Sequence, residues 1–576
     1  MTQKTRLLLF VVLLGGLVLG VGGAAGGQIA PDTPAANAGW EEVGVGSASG
    51  GGISQSLNPS SAPAIAFDTD GNPVIVWTEN VEEDWEIYIR RWDGFNWVEM
   101  GSGSASGNGI SDDGGESQSP ALAVAPDGSI VVVWTNYYDD FYNGSDIFVR
   151  RWDGVSWEEM GNGSAVGGGI SQTADHGSEW PTLIIDSDGM PVIGWSEHVG
   201  NNTWEIYVRR WDGVSWSEMG IGSGSSGGIS NNGGYSIAPS LAISPDGTPA
   251  IAWGDNSGGD HEIYIRRWDG SAWVEANSAS AYGGGISDDY TQSTEPSLAF
   301  FPSGKPMVAW VNYSGSAEEQ WDIFARRWDG ASWIEMDGSA SSGGISQNHS
   351  ISLAPSLAIL PDGSPLIVWA DQTEAGPEIY ALRWNGSSWV EAGQGSASAG
   401  GISDGNGSSE YPALVIDPDG RAVVAWGYWD GNLADIFVRR SPQLNFYRSH
   451  VPTLFGLTCL SGPGEIEPNN NQLQANGPLC NGQAYTGLPT DDFDVFYFDL
   501  GWTADVTVTL DNFTGGGVQL ALHHQDITVN PLDLDFKPAD GLRVGAADAA
   551  PGRYYVVIYA ETPGPETPYT LRAEWR

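Results

Sequence analysis

Residues 39–54 read GWEEVGVGSASGGGIS, and what is missing in front of them decides the fold. The same phrase follows Trp97, Trp157, Trp216, Trp273, Trp333 and Trp389: a tryptophan, a short acidic strand, a Gly/Ser loop and Gly-Ile-Ser. In those six places it is preceded by Arg-Arg-Trp-Asp-Gly or a worn copy from Leu382, as in RRWDGVSWEEMG from Arg150 to Gly161. Nothing of that kind stands before Trp40. At the other end of the array, Asp435-Ile436-Phe437 leads to Arg439-Arg440 and then breaks off into SPQLNFYRSH. One repeat unit is therefore divided between the two ends of the array.

Two further markers give the count. A tryptophan closes an apolar run at Trp77, Trp134, Trp195, Trp253, Trp310, Trp369 and Trp426. An acid-Ile-aromatic triplet starts at Glu86, Asp146, Glu205, Glu262, Asp322, Glu378 and Asp435. Such a period marks a repeat architecture before any local reading is made. Each unit parses into four short strands. In the fourth, PSLAIS from Pro239 is followed by a Pro-Asp-Gly turn, then PAIAW, EIYIRRW, an Asp-Gly turn and SAWVEA. Asp-Gly between alternating strands is a strong hairpin signal. Radially repeated four-stranded units, completed by a strand from the N-terminus, predict an all-β seven-bladed β-propeller over 40–445.

In EIYVRRW, alternation places Glu205, Tyr207 and Arg209 on one face and Ile206, Val208 and Arg210 on the other. The second arginine recurs in all seven units: Arg91, Arg151, Arg210, Arg267, Arg327, Arg383 and Arg440. A catalytic group is needed once, whereas a packing group is needed in every unit. The expectation is that these arginines and the aromatic rings hold neighbouring blades together, and that Ser-x-x-Pro before each first strand is equally structural.

Of 23 Lys and Arg, 13 lie in the Arg-Arg phrase, and the formal charge is −49. That charge excludes nucleic acid and anionic membrane surfaces as partners, since both would repel the chain. The 27 tryptophans exclude a disordered or collagenous chain despite 81 glycines. Lys4 and Arg6 precede an apolar run from Leu7 to Val21 and small residues at Ala24 and Ala25. This reads as a secretory signal peptide over 1–25, with an uncleaved anchor as the alternative, followed by a linker over 26–39. A secreted or extracellular monomer, free or associated with the cell surface, is expected, with no membrane insertion after signal cleavage. In an exported chain, Cys459 and Cys480 read as one disulfide.

The loops between second and third strands differ from unit to unit and carry the candidate ligand-binding residues Trp85, Tyr137, Tyr138, Trp204, Tyr313, Trp321, Tyr428 and Trp429. Aromatic platforms among acids and amides suit sugar rings, although the same residues could simply cap their loops. No catalytic residue is assigned: no His-Glu-x-x-His or Ser-His-Asp set is present, and G-x-S-x-G at Gly224 lies in a Gly/Ser loop. The expected function is non-catalytic recognition of a glycan or extracellular polymer. The alternative is a propeller glycosidase with a single non-repeating site.

The phrases PSLAISPDGTPAIAW, HEIYIRRWDGSAWVEA and GGGIS resemble the tandem repeats of exported bacterial propeller proteins of the sialidase-like superfamily, whose activity is unassigned. That resemblance implies the fold. After a linker over 446–464, the segment 465–576 alternates as an antiparallel β-sandwich. Its Glu465-Ile466-Glu467-Pro468-Asn469-Asn470, TDDFDVFYFDL and GRYYVVIYA resemble the bacterial pre-peptidase C-terminal (PPC) domain. The resemblance implies a Ca2+ site built from Glu465, Glu467, Asn469, Asp491 and Asp494, all hard oxygen donors.

Overall fold

The computed structural model describes residues 39–442 and Leu444, apart from 83, 112–114, 139–143, 173–176, 202, 277–279, 288–290, 314–319, 348–349, 375, 399 and 406. Beyond these it describes the strands of a second unit between 484 and 575. The calls on residues 1–25, Cys459, Cys480, Glu465, Glu467, Asn469 and Asp491 fall outside the described residues. Among the described residues every regular element is a β-strand, and no helix is long and apolar enough to cross a membrane.

The chain divides into two compact units, residues 1–444 and 445–576. Among its described residues the first unit contains seven four-stranded antiparallel sheets, an arrangement consistent with a β-propeller. Six of them are consecutive in sequence. In the fourth, the strands are Ser236–Ile243, Pro249–Asp255, Glu262–Trp268 and Trp273–Glu275, within a few residues of the sequence reading. The seventh sheet pairs Ser408–Ile416, Ala422–Trp429 and Ala434–Arg440 with Glu41–Glu42, so that Glu41 faces Arg440 and Glu42 faces Arg439. The N-terminal phrase thus supplies the missing outer strand. The first strand of each sheet packs against that of the next, and the first strand of the seventh packs against that of the first.

The second strand of each sheet reads as a continuous apolar run because both of its faces are covered. Trp195 is fully buried there, and its indole donates to Glu197 at 2.8 Å. Removing about 200 Å² of aromatic surface from water stabilises by about 5 kcal/mol at most on area counting. The third strand faces two sheets at once. Tyr207 joins the core with Val131, Val133 and Trp195, whereas Ile206 and Val208 join Leu241, Ile251 and Trp253 of the following sheet.

The structure corrects the role given to the second arginine in three sheets, whereas Arg383 of the sixth also donates to the Leu444 carbonyl outside its own sheet. Arg210 stays within its own sheet and pairs with the first turn, 2.5 Å to Asp186 and 2.8 Å to Asp188. Arg91 and Arg440 do the same with Asp68 and Asp417. The first arginine is the one that crosses. Arg209 donates to the carbonyl of Ile170 at 2.5 Å, Arg150 to Ile110 at 2.7 Å and Arg326 to Ile286 at 2.7 Å, each reaching the Gly-Ile-Ser of the preceding sheet. Alternation explains the exchange: Arg209 lies on the Tyr207 face, which meets the preceding sheet. Fourth-strand tryptophans cross in the same direction, as when Trp216 donates to the Met160 carbonyl at 2.9 Å.

The repeated acid of the third strand is also structural. Ser171 donates to Asp146 at 2.5 Å, and its hydroxyl oxygen accepts from the Ile147 amide at 3.0 Å, fixing the Gly/Ser loop against its own sheet.

In the second unit, two four-stranded sheets enclose Phe496, Phe498, Val508, Leu520, Leu542 and Val556. Asp494 lies in its strand Phe493–Leu500, with Ile558 as register partner.

Candidate functional site on the inner strands

The first strand of each sheet, its inner strand, carries the buried serine of the Ser-x-x-Pro phrase as its first or second residue. Ser178 donates to Glu197 at 2.7 Å, and the same carboxylate accepts the indole of Trp195, so one acid ties the first strand to the second. Ser236 and Asp255 repeat the contact at 2.8 Å, and Ser352 and Asp371 at 3.0 Å. The proline closing the phrase has no N–H to give the ladder, and the register slips by a bulge between the two.

The residue before each proline takes a left-handed conformation in all seven sheets: Ala62, Ser119, Trp180, Ala238, Glu295, Ala354 and Tyr411, with φ between 48° and 55°. Only glycine adopts this region without cost, and a side chain there sacrifices roughly 1–2 kcal/mol. Non-glycine residues held in this way in every sheet put strained backbone on each of the inner strands.

The two middle residues of the phrase are where the sheets stop repeating. They read Ser61-Ala62, Gln118-Ser119, Glu179-Trp180, Ile237-Ala238, Thr294-Glu295, Leu353-Ala354 and Glu410-Tyr411. Three carboxylates and two large aromatic residues thus occupy positions that are small or neutral elsewhere. The signal lay in the sequence, inside a phrase read as wholly structural.

Glu179, Glu295 and Glu410 are partly reached by solvent yet enclosed by protein. Burial pushes Glu179 up to about 7, and it raises Glu295 and Glu410 as well. Glu295 accepts from the Ala354 amide of the next sheet at 3.1 Å. Tyr411 is pushed up to about 12, first by burial and then by the charges of Glu410 and Glu295, which places these three groups in one electrostatic neighbourhood. Tyr137 is raised by burial and by the charges of Glu179 and Glu116. The Trp180 ring lies 5.8 Å from that of Trp204, and Trp204 lies 5.2 Å from His198. Trp204 also meets Tyr235 in an isolated bridge, which sets this loop beside the connection to the next inner strand.

The eight loop aromatics do not form one shelf. Trp204 reaches the inner-strand group through Trp180, and Tyr137 through Glu179 and Glu116. Tyr313 and Trp321 pair with each other at 4.8 Å across their own hairpin. Tyr428 stacks on Phe437 at 4.4 Å, and Tyr138 donates to Asp146 at 3.0 Å and packs on Phe148. Trp85 is half-buried opposite Asn80, and Trp429 alone of the eight is an exposed large side chain, at 49%. No cluster of metal-ligating side chains occurs among the described residues.

No family model matches the chain. Among solved structures it is similar to an ulvan lyase described as a new family of polysaccharide lyase, at 11% identity over 66% of this chain and 93% of that one, with a TM-score of 0.42. It is also similar to an α-L-arabinanase of Penicillium chrysogenum, at 15% identity over 56% and 92% of the two chains, with a TM-score of 0.36. A pre-peptidase C-terminal domain of a Bacillus anthracis collagenase matches 16% of this chain and 90% of its own, at 22% identity and a TM-score of 0.15. Likenesses this distant identify neither activity nor ligand.

Proposed function

We propose that the seven sheets are the blades of a closed propeller and that its inner rim carries one ligand site for a glycan or related extracellular polymer. The observation carrying this reading is the break in the repeat: Glu179, Trp180, Glu295, Glu410 and Tyr411 occupy positions where the other sheets bear small or neutral residues. A scaffold that repeats wherever packing demands it has no structural reason to vary there. Sugar rings have apolar faces that lie on aromatic rings and hydroxyl edges that donate to carboxylates, and this group offers both.

Secretion is part of the proposal and is supported by the leader-like N-terminus. So is a Ca2+ ion in the C-terminal sandwich, held by Glu465, Glu467, Asn469, Asp491 and Asp494, where oxygen donors suit a hard cation. A calcium titration of the intact protein by calorimetry tests that site, and an athermal titration that Asp494→Ala leaves unaltered removes it.

A glycan array probed with the intact protein and with Trp180→Ala tests the rim. The expected result is binding to a restricted set of oligosaccharides that the variant loses. Binding retained at full strength by Trp180→Ala, or no binding by either, defeats the reading.

One observation favours glycoside cleavage as a second reading. A carboxyl pushed up to about 7 keeps a proton near neutrality, as a general acid must, and Glu179 is such a group. Turnover of chromogenic glycosides that disappears in Glu179→Gln supports cleavage; inert substrates leave recognition alone.

A further inference from the structure

We propose that the seventh sheet binds a halide ion between the hydroxyl of Ser409 and the indole of Trp426, at the place where four other sheets hold a carboxylate of their own.

The tie between first and second strands is built from three residues in fixed register. The serine of the Ser-x-x-Pro phrase faces the residue that stands two places after the second-strand tryptophan, as Ser178 faces Glu197. A single oxygen of that acid accepts both donors. Glu79 takes Ser60 at 3.2 Å and Trp77 at 3.0 Å, and Glu197 takes Ser178 at 2.7 Å and Trp195 at 2.8 Å. Asp255 does the same with Ser236 and Trp253, and Asp371 with Ser352 and Trp369. The second and fifth sheets have an amide there, and Asn136 and Asn312 each bond their serine at 3.2 Å. In the seventh sheet the residue facing Ser409 is Tyr428, whose ring stacks on Phe437 at 4.4 Å. Ser409 and Trp426 are both fully buried. Neither Ser409 Oγ nor Trp426 Nε1 has a hydrogen-bond partner among the described residues. Enclosed polar groups in folded proteins are paired, so these two donors call for an acceptor from outside the chain.

Three features choose that acceptor. Where the chain fills the place itself, one atom serves both donors, so a ligand with a single accepting centre suffices. Trp426 packs among Val368, Ala370, Ile402 and Phe437, an apolar setting. A water could accept from both donors there, but its own hydrogens would then need acceptors, whereas a halide needs donors alone. The buried Arg439 guanidinium lies 6.0 Å from the centroid of the Trp426 ring, a positive charge that favours an anion over a neutral molecule. The four carboxylates of the other sheets show that this donor pair houses negative charge even in an acidic chain. The sheet that joins residues 41–42 to residues 439–440 thus takes from solution the tie that those four take from their sequence.

The test is thermal unfolding of the intact protein at constant ionic strength, with gluconate, too bulky for an enclosed site, replaced stepwise by chloride or bromide. The parent's melting temperature is expected to rise with halide concentration, as ligand linkage requires. Ser409→Ala removes a donor that has no partner, so it should melt with the parent in gluconate and lose the halide response. Tyr428→Glu combined with Phe437→Tyr copies the third sheet, where Glu197 and Tyr207 stand. That variant should melt above the parent in gluconate and ignore halide. Crystals soaked in bromide should give an anomalous peak between Ser409 Oγ and Trp426 Nε1. A flat response in the parent, or a response that Ser409→Ala retains in full, overturns the proposal. So does a bromide map with no peak at that place. A lower melting temperature of Ser409→Ala in gluconate would mean that the hydroxyl is already paired, and overturns it as well.

Discussion

The indole nitrogen of Trp40 donates to the carbonyl oxygen of Ala392 at 3.1 Å, 352 residues away in the chain. Trp97 makes the equivalent bond to Val43 at 2.9 Å, and Trp157 to Met100 at 2.7 Å. The contact at the junction of the chain ends is therefore the contact made between consecutive sheets. Trp40 is only 4% exposed, in one core with Ala392, Trp426 and Phe437. Truncating a buried tryptophan costs about 3–5 kcal/mol. Trp40→Ala should lose that much in urea unfolding and, in addition, aggregate on mild heating, because its strand has only two paired residues to hold it. Trp216→Ala sits in the continuous part of the array and should lose comparable stability without aggregation. Equal aggregation of both variants would show that the junction has no special role.

The crossing arginine has a built-in control. The sixth sheet carries Leu382 where the other units have the first arginine of the pair. Leu382→Arg should place a guanidinium within reach of the Ile345 carbonyl and stabilise by roughly 0.5–1.5 kcal/mol, the worth of one net hydrogen bond. Arg209→Leu should cost more than Arg210→Met. Arg209 reaches into a neighbouring sheet at 2.5 Å, whereas Arg210 is part-exposed and shares its charge with solvent. Chemical denaturation of the three variants checks the order, and a larger loss at Arg210 would restore the sequence-based assignment.

The array was legible because its period is long, its markers are independent and one unit is visibly divided. Which arginine crosses was not, since counting favoured Arg210 for being sevenfold, and recurrence says nothing about direction of contact. The inner rim was hidden for a related reason. Ser178 and Pro181 repeat and drew the eye, while Glu179 and Trp180 between them did not. Their conformation was also unreadable: a residue before proline is expected to be extended, and tryptophan has no preference for positive φ. Only the bulge between Glu179 and Thr182, which leaves Trp180 and Pro181 out of the ladder, reveals it. Of the eight aromatics read as loop residues, all but Tyr138 stand at the ends of second and third strands, where pairs such as Tyr313 with Trp321 depend on register.

Stability should fall as pH rises from about 4.5 toward about 7. Glu179, Glu205 and Glu378 are each pushed up to about 7, chiefly by burial. A carboxyl whose folded value lies above its unfolded value holds its proton more tightly in the folded chain. Its contribution is complete at pH below the unfolded value and is lost as pH climbs through the folded one. Glu205 also accepts from the Asn232 amide at 3.0 Å, so Glu205→Gln disturbs a loop. Glu179→Gln is the cleaner change and should flatten the fall in melting temperature across this window. A slope identical to the parent would mean that Glu179 is ionised at an ordinary pH.

The strained ring of the inner strands can be measured one residue at a time. Ala238 and Ala354 both hold φ at 53° before a proline, and both side chains are only half-buried. Ordinarily Ala→Gly in a strand costs about 0.5–1 kcal/mol through chain entropy. Here the alanine already sacrifices roughly 1–2 kcal/mol to stand in the left-handed region, and glycine is relieved of that. The two terms oppose, so Ala238→Gly and Ala354→Gly should be neutral or stabilising by up to about 1 kcal/mol. Ala242→Gly, in the same strand but without positive φ, should destabilise in the usual way. Tyr411→Gly relieves the same strain but also removes a ring that burial and two neighbouring carboxylates surround. A stable Tyr411→Gly protein that no longer binds its ligand would show that the backbone there is held out of its comfortable region for the sake of the side chain. Loss of stability in Ala238→Gly as large as in Ala242→Gly would mean that the bulge carries no strain.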